Sequence, residues 1–136
     1  MILYDNLLAG TPFRGLIIQG FSGLCAYLGV PQDHWMADMS SLTFECHHDV
    51  TFRGEGDGDL RPEGWYWYGW DYQHLSDQTN FPADMLALMP PEFVKLIPKG
   101  KNWTVAEVEQ DLVDSALHLL ESLRDVENAA NSIVKK

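Results

Sequence analysis

The chain has 136 residues and a formal net charge of −11, with the apolar and charged fractions of an ordinary globular domain. At this length a single domain over residues 1–136 is expected, with a core that needs no disulfide or metal staple. Ten acids and two arginines fall between Asp33 and Asn80, so eight of the negative charges lie in the central third, a field that disfavours non-specific nucleic-acid binding, and none is expected.

Residues 1–14 read as a lead-in, with a turn at Gly10-Thr11-Pro12. The start lacks the basic n-region of a signal peptide. Leu16–Gln19 and Leu24–Val30 are apolar runs separated by Gly20 and Gly23, the pattern of two short strands ended by Pro31. The run from Gly15 to Val30 is too short and too broken to cross a membrane. Cys25 and Cys46 lack CxxC spacing and read as reduced core residues, which points to the cytoplasm.

From Leu42 to Arg53 the chain alternates. Leu42, Phe44, Cys46, His48, Val50 and Phe52 take one side, and Thr43, Glu45, His47, Asp49, Thr51 and Arg53 the other, which predicts a half-buried antiparallel strand. His48 then belongs to the apolar face, and His47, between Glu45 and Asp49, is the functional candidate. The acidic Gly-rich loop 54–64 does not follow the EF-hand pattern: Leu60 and Tyr66 stand where Gly and Glu are required.

The aromatic stretch Gly64–Asp77 follows, and six of its first nine residues are Trp or Tyr. As a strand, it sends Trp65, Trp67, Gly69, Asp71 and Gln73 one way. Tyr66, Tyr68, Trp70, Tyr72 and His74 go the other way. Both faces are aromatic, so the strand is expected to be central in its sheet, and Gly69 leaves a gap that admits a ligand or another backbone. The alternative is that the rings simply fill the core.

Residues 78–102 hold two short amphipathic pieces, Ala83–Met89 and Glu92–Ile97, a long excursion suited to covering a pocket. Thr104-Val105-Ala106-Glu107 is a capping box, and Trp103 before it can staple onto Val108. The helix it opens carries an apolar stripe through Val105, Val108, Leu112, Ala116, Leu119, Leu120 and Leu123. Glu109, Asp111, Asp114 and Glu121 lie on its other face, and residues 128–136 read as a frayed tail. The predicted fold class is α+β, a small antiparallel sheet packed against this long C-terminal helix.

If the 42–53 strand pairs with the aromatic strand, His47 approaches Asp71 or Gln73, with His74 and Asp77 just beyond. Imidazoles and carboxylates in such a cluster can hold Zn, Mn or Fe, which makes His47, Asp71, His74 and Asp77 metal candidates. The same groups suit acid–base chemistry, with His47 and His74 as acid and base and Asp71 orienting either. A second use of the stretch is stacking. Trp65, Trp67, Trp70 and the intervening tyrosines would take a base or another flat ligand, and Gln73, His47 and Arg53 would hydrogen-bond its polar parts. Arg53 and Arg61 lie where they could meet phosphates.

Several segments resemble a family of small uncharacterised proteins of phages and prophages. They are Gly29-Val30-Pro31-Gln32-Asp33-His34, His47-His48-Asp49-Val50-Thr51-Phe52, Trp67-Tyr68-Gly69-Trp70-Asp71-Tyr72-Gln73-His74-Leu75-Ser76-Asp77, and the helix from Thr104. That family has a His-Gly-Gly-Leu-Thr-Tyr type of strand and a Trp-Trp-x-Gly-Phe-Asp-x-x-His-x-x-Asp type of strand, and the likeness spans residues 24 to 124. It implies that His47, Asp71, His74 and Asp77 share a site, although His48 and Asp49 replace the family's two glycines. By analogy with other small phage proteins, the expectation is an accessory or counter-defence protein that sequesters a small ligand such as a linear or cyclic nucleotide. The alternatives are a small metal- or His/Asp-dependent hydrolase and an acidic inhibitor of a host protein. A second copy of the chain is a further candidate partner.

Overall fold

Short apolar runs separated by Gly, Pro and Asp favour antiparallel pairing through tight connections, and the sheet is built that way. The computed structural model describes residues 1–21, 23–37, 44, 46–47, 49–73, 83–96 and 102–134, with residues 130–134 by backbone alone. Strands β1 (Ile2–Leu7), β2 (Arg14–Gln19), β3 (Leu24–Pro31), β4 (Phe52–Glu55) and β5 (Trp65–Asp71) form one antiparallel sheet. Its order is β1-β2-β3-β5-β4. Helices α1 (Ala83–Leu88), α2 (Pro91–Val94) and α3 (Val105–Val134) follow. The fold class is the expected small α+β, with α3 packed on the sheet.

Strand β5 lies between β3 and β4 and is buried on both faces. Its even positions, Tyr66, Tyr68 and Trp70, and Tyr72 just beyond the strand, join Ile17, Ala26, Leu28 and Val30 in the main core. Helix α3 closes that core with Val108, Leu112, Ala116, Leu119 and Leu123. Each fully buried Leu in such a stripe stabilises the fold by about 2 kcal/mol. The other face of β5 carries Trp67, which packs with Leu16, Ile18, Tyr27, Phe52 and Leu60. The β4–β5 loop folds back over this second layer. Pro62 accepts a 3.0 Å hydrogen bond from Trp67 Nε1. The Arg61 guanidinium lies 4.4 Å from the Phe52 ring centre and 5.4 Å from that of Tyr27. It is held there by Asp57 at 3.0 Å.

Two glycines make the paired rings fit. A Cβ on Gly29 would lie 2.7 Å from the Trp67 ring, and one on Gly69 would lie 2.6 Å from the Tyr27 ring. The gap at Gly69, expected to admit a ligand or a backbone, is therefore filled by Tyr27.

Three elements differ from expectation. The lead-in 1–14 contains β1, which gains its place by pairing with β2 from Ile2↔Ile18 to Leu7↔Arg14. Among the described residues of 42–53, only the end is strand, as β4, with Cys46 in an isolated bridge; Leu42, Thr43, Glu45 and His48 lie outside the described residues. Phe44, Cys46 and Val50 pack with the helix-side core, whereas Phe52, opposite Gly69, packs in the second layer. The alternation in sequence is thus not one continuous pleat. Finally, α3 runs to Val134 where a frayed tail over 128–136 is expected.

Gly29→Ala is expected to destabilise the protein by about 2 kcal/mol, the usual cost of forcing extra volume into a packed core. The measurement is the urea midpoint of the variant against that of the wild type.

Candidate functional site

The capping box sets one wall of the site. Glu107 N–H donates to Thr104 Oγ1 and Thr104 N–H donates to Glu107 Oε1, both at 3.2 Å. These bonds fix where α3 begins and so where Trp103, the residue before the cap, is delivered. Its ring lies 4.9 Å from that of Tyr72 and 4.8 Å from that of His47. His47 and Tyr72 are themselves stacked, with centroids 4.4 Å apart and planes 9° from parallel. Three rings from three segments of the chain therefore meet where β5 ends.

On α3, Asp111, Asp114, Ser115 and His118 follow the three- and four-residue spacing that puts side chains on one flank of a helix. With Cys46, His47 and Trp103 they line a cleft of about 310 Å³. Among the described residues lining it there is no Lys or Arg.

A chain of donors fixes the base of the cleft. Trp70 Nε1 donates to the Tyr72 hydroxyl at 3.1 Å, and that hydroxyl donates to Asp111 Oδ2 at 2.6 Å. Burial, and then the bond to Asp111, raises the Tyr72 pKa well above the ordinary phenol range, so the hydroxyl keeps its proton. Cys46 is pushed up to about 11 by burial and by the nearby Asp49 and Asp111 carboxylates. At neutral pH it is a thiol, not the thiolate that nucleophilic or metal-binding cysteines use. Gln110 Nε2 donates to Asp114 Oδ1 at 3.0 Å, steadying the second carboxylate.

The expected site residues separate in space. His47 lies in the cleft, on the helix side of the sheet. Asp71 occupies an odd position of β5, opposite Cys25, and so belongs to the other face. Asp71 accepts the Gln73 backbone N–H at 3.1 Å, and Gln73 Nε2 lies 3.6 Å from Cys25 Sγ. Pleating therefore keeps His47 apart from Asp71 and Gln73 instead of bringing them together. His74 and Asp77 lie outside the described residues. Among the described residues no group of three His, Cys, Asp or Glu side chains is placed to hold a metal ion.

The rings expected to form a stacking platform are core except Trp65, which is half-buried with the Arg14 guanidinium 5.5 Å from its ring centre. Trp67 and Tyr68 are 0 % exposed and Trp70 1 %, so a ligand has no access to their faces. Arg53 sits on β4 opposite Tyr68, its Nη1 3.5 Å from the Val50 carbonyl, and it does not line the cleft. Arg61 is occupied over the second layer. Helices α1 and α2, read as a possible cover, contribute no lining residue. Of the site residues, the sequence reading left Trp103 to a staple and Asp111 and Asp114 to a helix face, and did not single out Ser115 and His118.

The chain matches no protein-family model, and neither curated proteins nor solved structures give a significant match. Among the described residues no helix is long and apolar enough to cross a membrane.

Tyr72→Phe is expected to destabilise the protein by about 1–3 kcal/mol, because it strands the buried Trp70 N–H without an acceptor. A urea titration of the variant measures this. Cys25 and Cys46 both have pKa values raised from 9.0 to about 11 in the folded state. Their contribution is complete below pH 9 and is lost as pH rises through 11, because the unfolded chain releases these protons first. The urea midpoint should fall across that window, and less steeply in the Cys25→Ser/Cys46→Ser double variant.

Proposed function

We propose that the protein binds a small organic molecule in the cleft between the end of β5 and α3, holding a flat ring against Trp103 and the His47–Tyr72 stack. One observation carries this reading: ring walls and several convergent polar groups border a single cavity of about 310 Å³. That is the low end of the size range of small-molecule sites, with the usual mixture of aromatic wall and few polar groups. Binding without turnover is favoured by the protonated state of the Cys46 thiol and the Tyr72 hydroxyl, which removes two nucleophiles at neutral pH.

On this reading the chain is a ligand-sequestering accessory protein of the kind expected by analogy with other small phage proteins. Within that class the lining disfavours a linear or cyclic nucleotide, since Asp111 and Asp114 repel phosphate and neither Arg53 nor Arg61 borders the cleft.

The test is to incubate the protein with a pool of nucleotides and nitrogen heterocycles, with and without divalent metal. The protein is then isolated and denatured, and the bound and free compounds are identified by mass spectrometry. An intact compound retained by the wild type is the expected result. His47→Ala should bind it about tenfold more weakly, the upper end of what one ring contact contributes. A consumed compound with a new product would replace this reading with the hydrolase one, in which His47 and His118 border the reacting molecule. Retention of no compound from the pool would end it and favour the acidic-inhibitor reading.

A further inference from the structure

The chemistry of the lining restricts what the cleft can hold. Asp111 and Asp114 border it from one flank of α3, while Lys and Arg are absent from its described lining. Asp111 Oδ2 already accepts the Tyr72 hydroxyl, and Asp114 Oδ1 accepts Gln110 Nε2. Both carboxylates are thus positioned by neutral donors, and neither is neutralised by those bonds. An anion in the cleft would meet two like charges. A neutral ring would stack but bring no countercharge to half-buried Asp111 or to the more exposed Asp114, and none comes from a Lys or Arg of the described lining. A cation would satisfy them, and the Trp103 ring bordering the same space adds the attraction of an indole for positive charge.

The surroundings act in the same direction. The chain carries a net charge of −11, so the long-range field draws small cations and repels anions. The polar hydrogens of Trp70 and Tyr72 point along their chain to Asp111, so they are already engaged and do not offer themselves to a ligand oxygen. Of the remaining lining, Ser115 offers a hydroxyl and Trp103 an indole N–H, while His47 and His118 carry imidazole nitrogens that accept when unprotonated.

We infer that the natural ligand is a small organic cation, a protonated amine or amidinium borne beside a flat ring, with its charge at Asp111 and Asp114 and its ring at Trp103 and His47. This rests on the cleft being a binding site, and the experiment separates the two statements.

The probes are three indoles with side chains of the same length ending in an amine, a hydroxyl or a carboxylate: tryptamine, tryptophol and indole-3-propionate. Calorimetric titration of the whole chain is expected to rank them in that order. Tryptamine should bind about tenfold tighter than tryptophol, the combined yield of two partly exposed ion pairs. In Asp111→Asn/Asp114→Asn, tryptamine should weaken to about the tryptophol level, while tryptophol itself stays within about twofold of its wild-type affinity. Asn retains an acceptor for Tyr72, and the urea midpoint of the variant checks that the fold survives.

Equal binding of tryptamine and tryptophol, both lost in His47→Ala, would overturn the cationic assignment and leave the cleft reading standing. A tryptamine preference that persists in the double Asn variant would also overturn it. Tightest binding by indole-3-propionate would reverse it. Failure of all three probes to bind would overturn the assignment and count against the cleft as well.

Discussion

Burial of β5 on both faces is the constraint on which the rest of the structure depends. A strand with rings at nearly every position cannot leave either side in water, so two covers are required. Helix α3 supplies one, and the β4–β5 loop supplies the other, brought down by the Trp67–Pro62 hydrogen bond and by Arg61 over Phe52 and Tyr27. The sheet order follows. Placing β5 between β3 and β4 satisfies its backbone on both sides, and the glycines at 29 and 69 give the rings the space that two pleated neighbours would otherwise deny them. The aromatic stretch is therefore a structural keystone, and the chemistry moves to where it ends, at Tyr72.

Much of this architecture was legible in the sequence because it rests on short-range rules. The parity of Trp65 to Tyr72 assigned each ring to its observed face, since alternation is a property of any strand. The capping box at Thr104–Glu107 located the start of α3, and the stripe from Val105 to Leu123 named its buried side. The segment 42–53 shows the limit of the same reasoning. It alternates, but a strand also needs a hydrogen-bonded partner, and the described pairing with β5 begins only at Phe52↔Gly69. Composition carries no information about where a ladder starts.

The site was less legible, and for a different reason. His47 stood out because an imidazole between two acids is conspicuous, but its neighbours were misjudged: Asp71 is close to Tyr72 in sequence and across the sheet from it in space. The true neighbours lie on a helix whose amphipathic pattern already accounts for them. Asp111 and Asp114 read as the helix's other face, as the exposed Asp114 bears out, Trp103 read as a staple, and His118 was not singled out. One signal was present. Ser115 is buried at 3 % exposure, and it sits between two acids and a histidine at helical spacing on the flank next to the apolar stripe. A polar residue placed there marks the border of a core, where clefts form.

The position of the cleft also bears on its character. It is bounded by a capped helix and by a His47 ring stacked on a tyrosine whose hydroxyl is tied at both ends. Such walls are held by the core, so on the proposed reading little ordering cost would fall on binding. Electrostatics follows the same logic. A carboxylate at the edge of a core is costly unless something positive or a strong donor approaches it. Asp111 obtains a donor from Tyr72, yet the pair remains negative, because a phenol this strongly buried does not transfer its proton. The fold therefore maintains a preformed negative charge beside aromatic faces with no basic side chain among the described lining. Among the described lining residues no Lys or Arg discharges it, so on the proposed reading charge complementarity, more than stacking area, sets what the cleft would select.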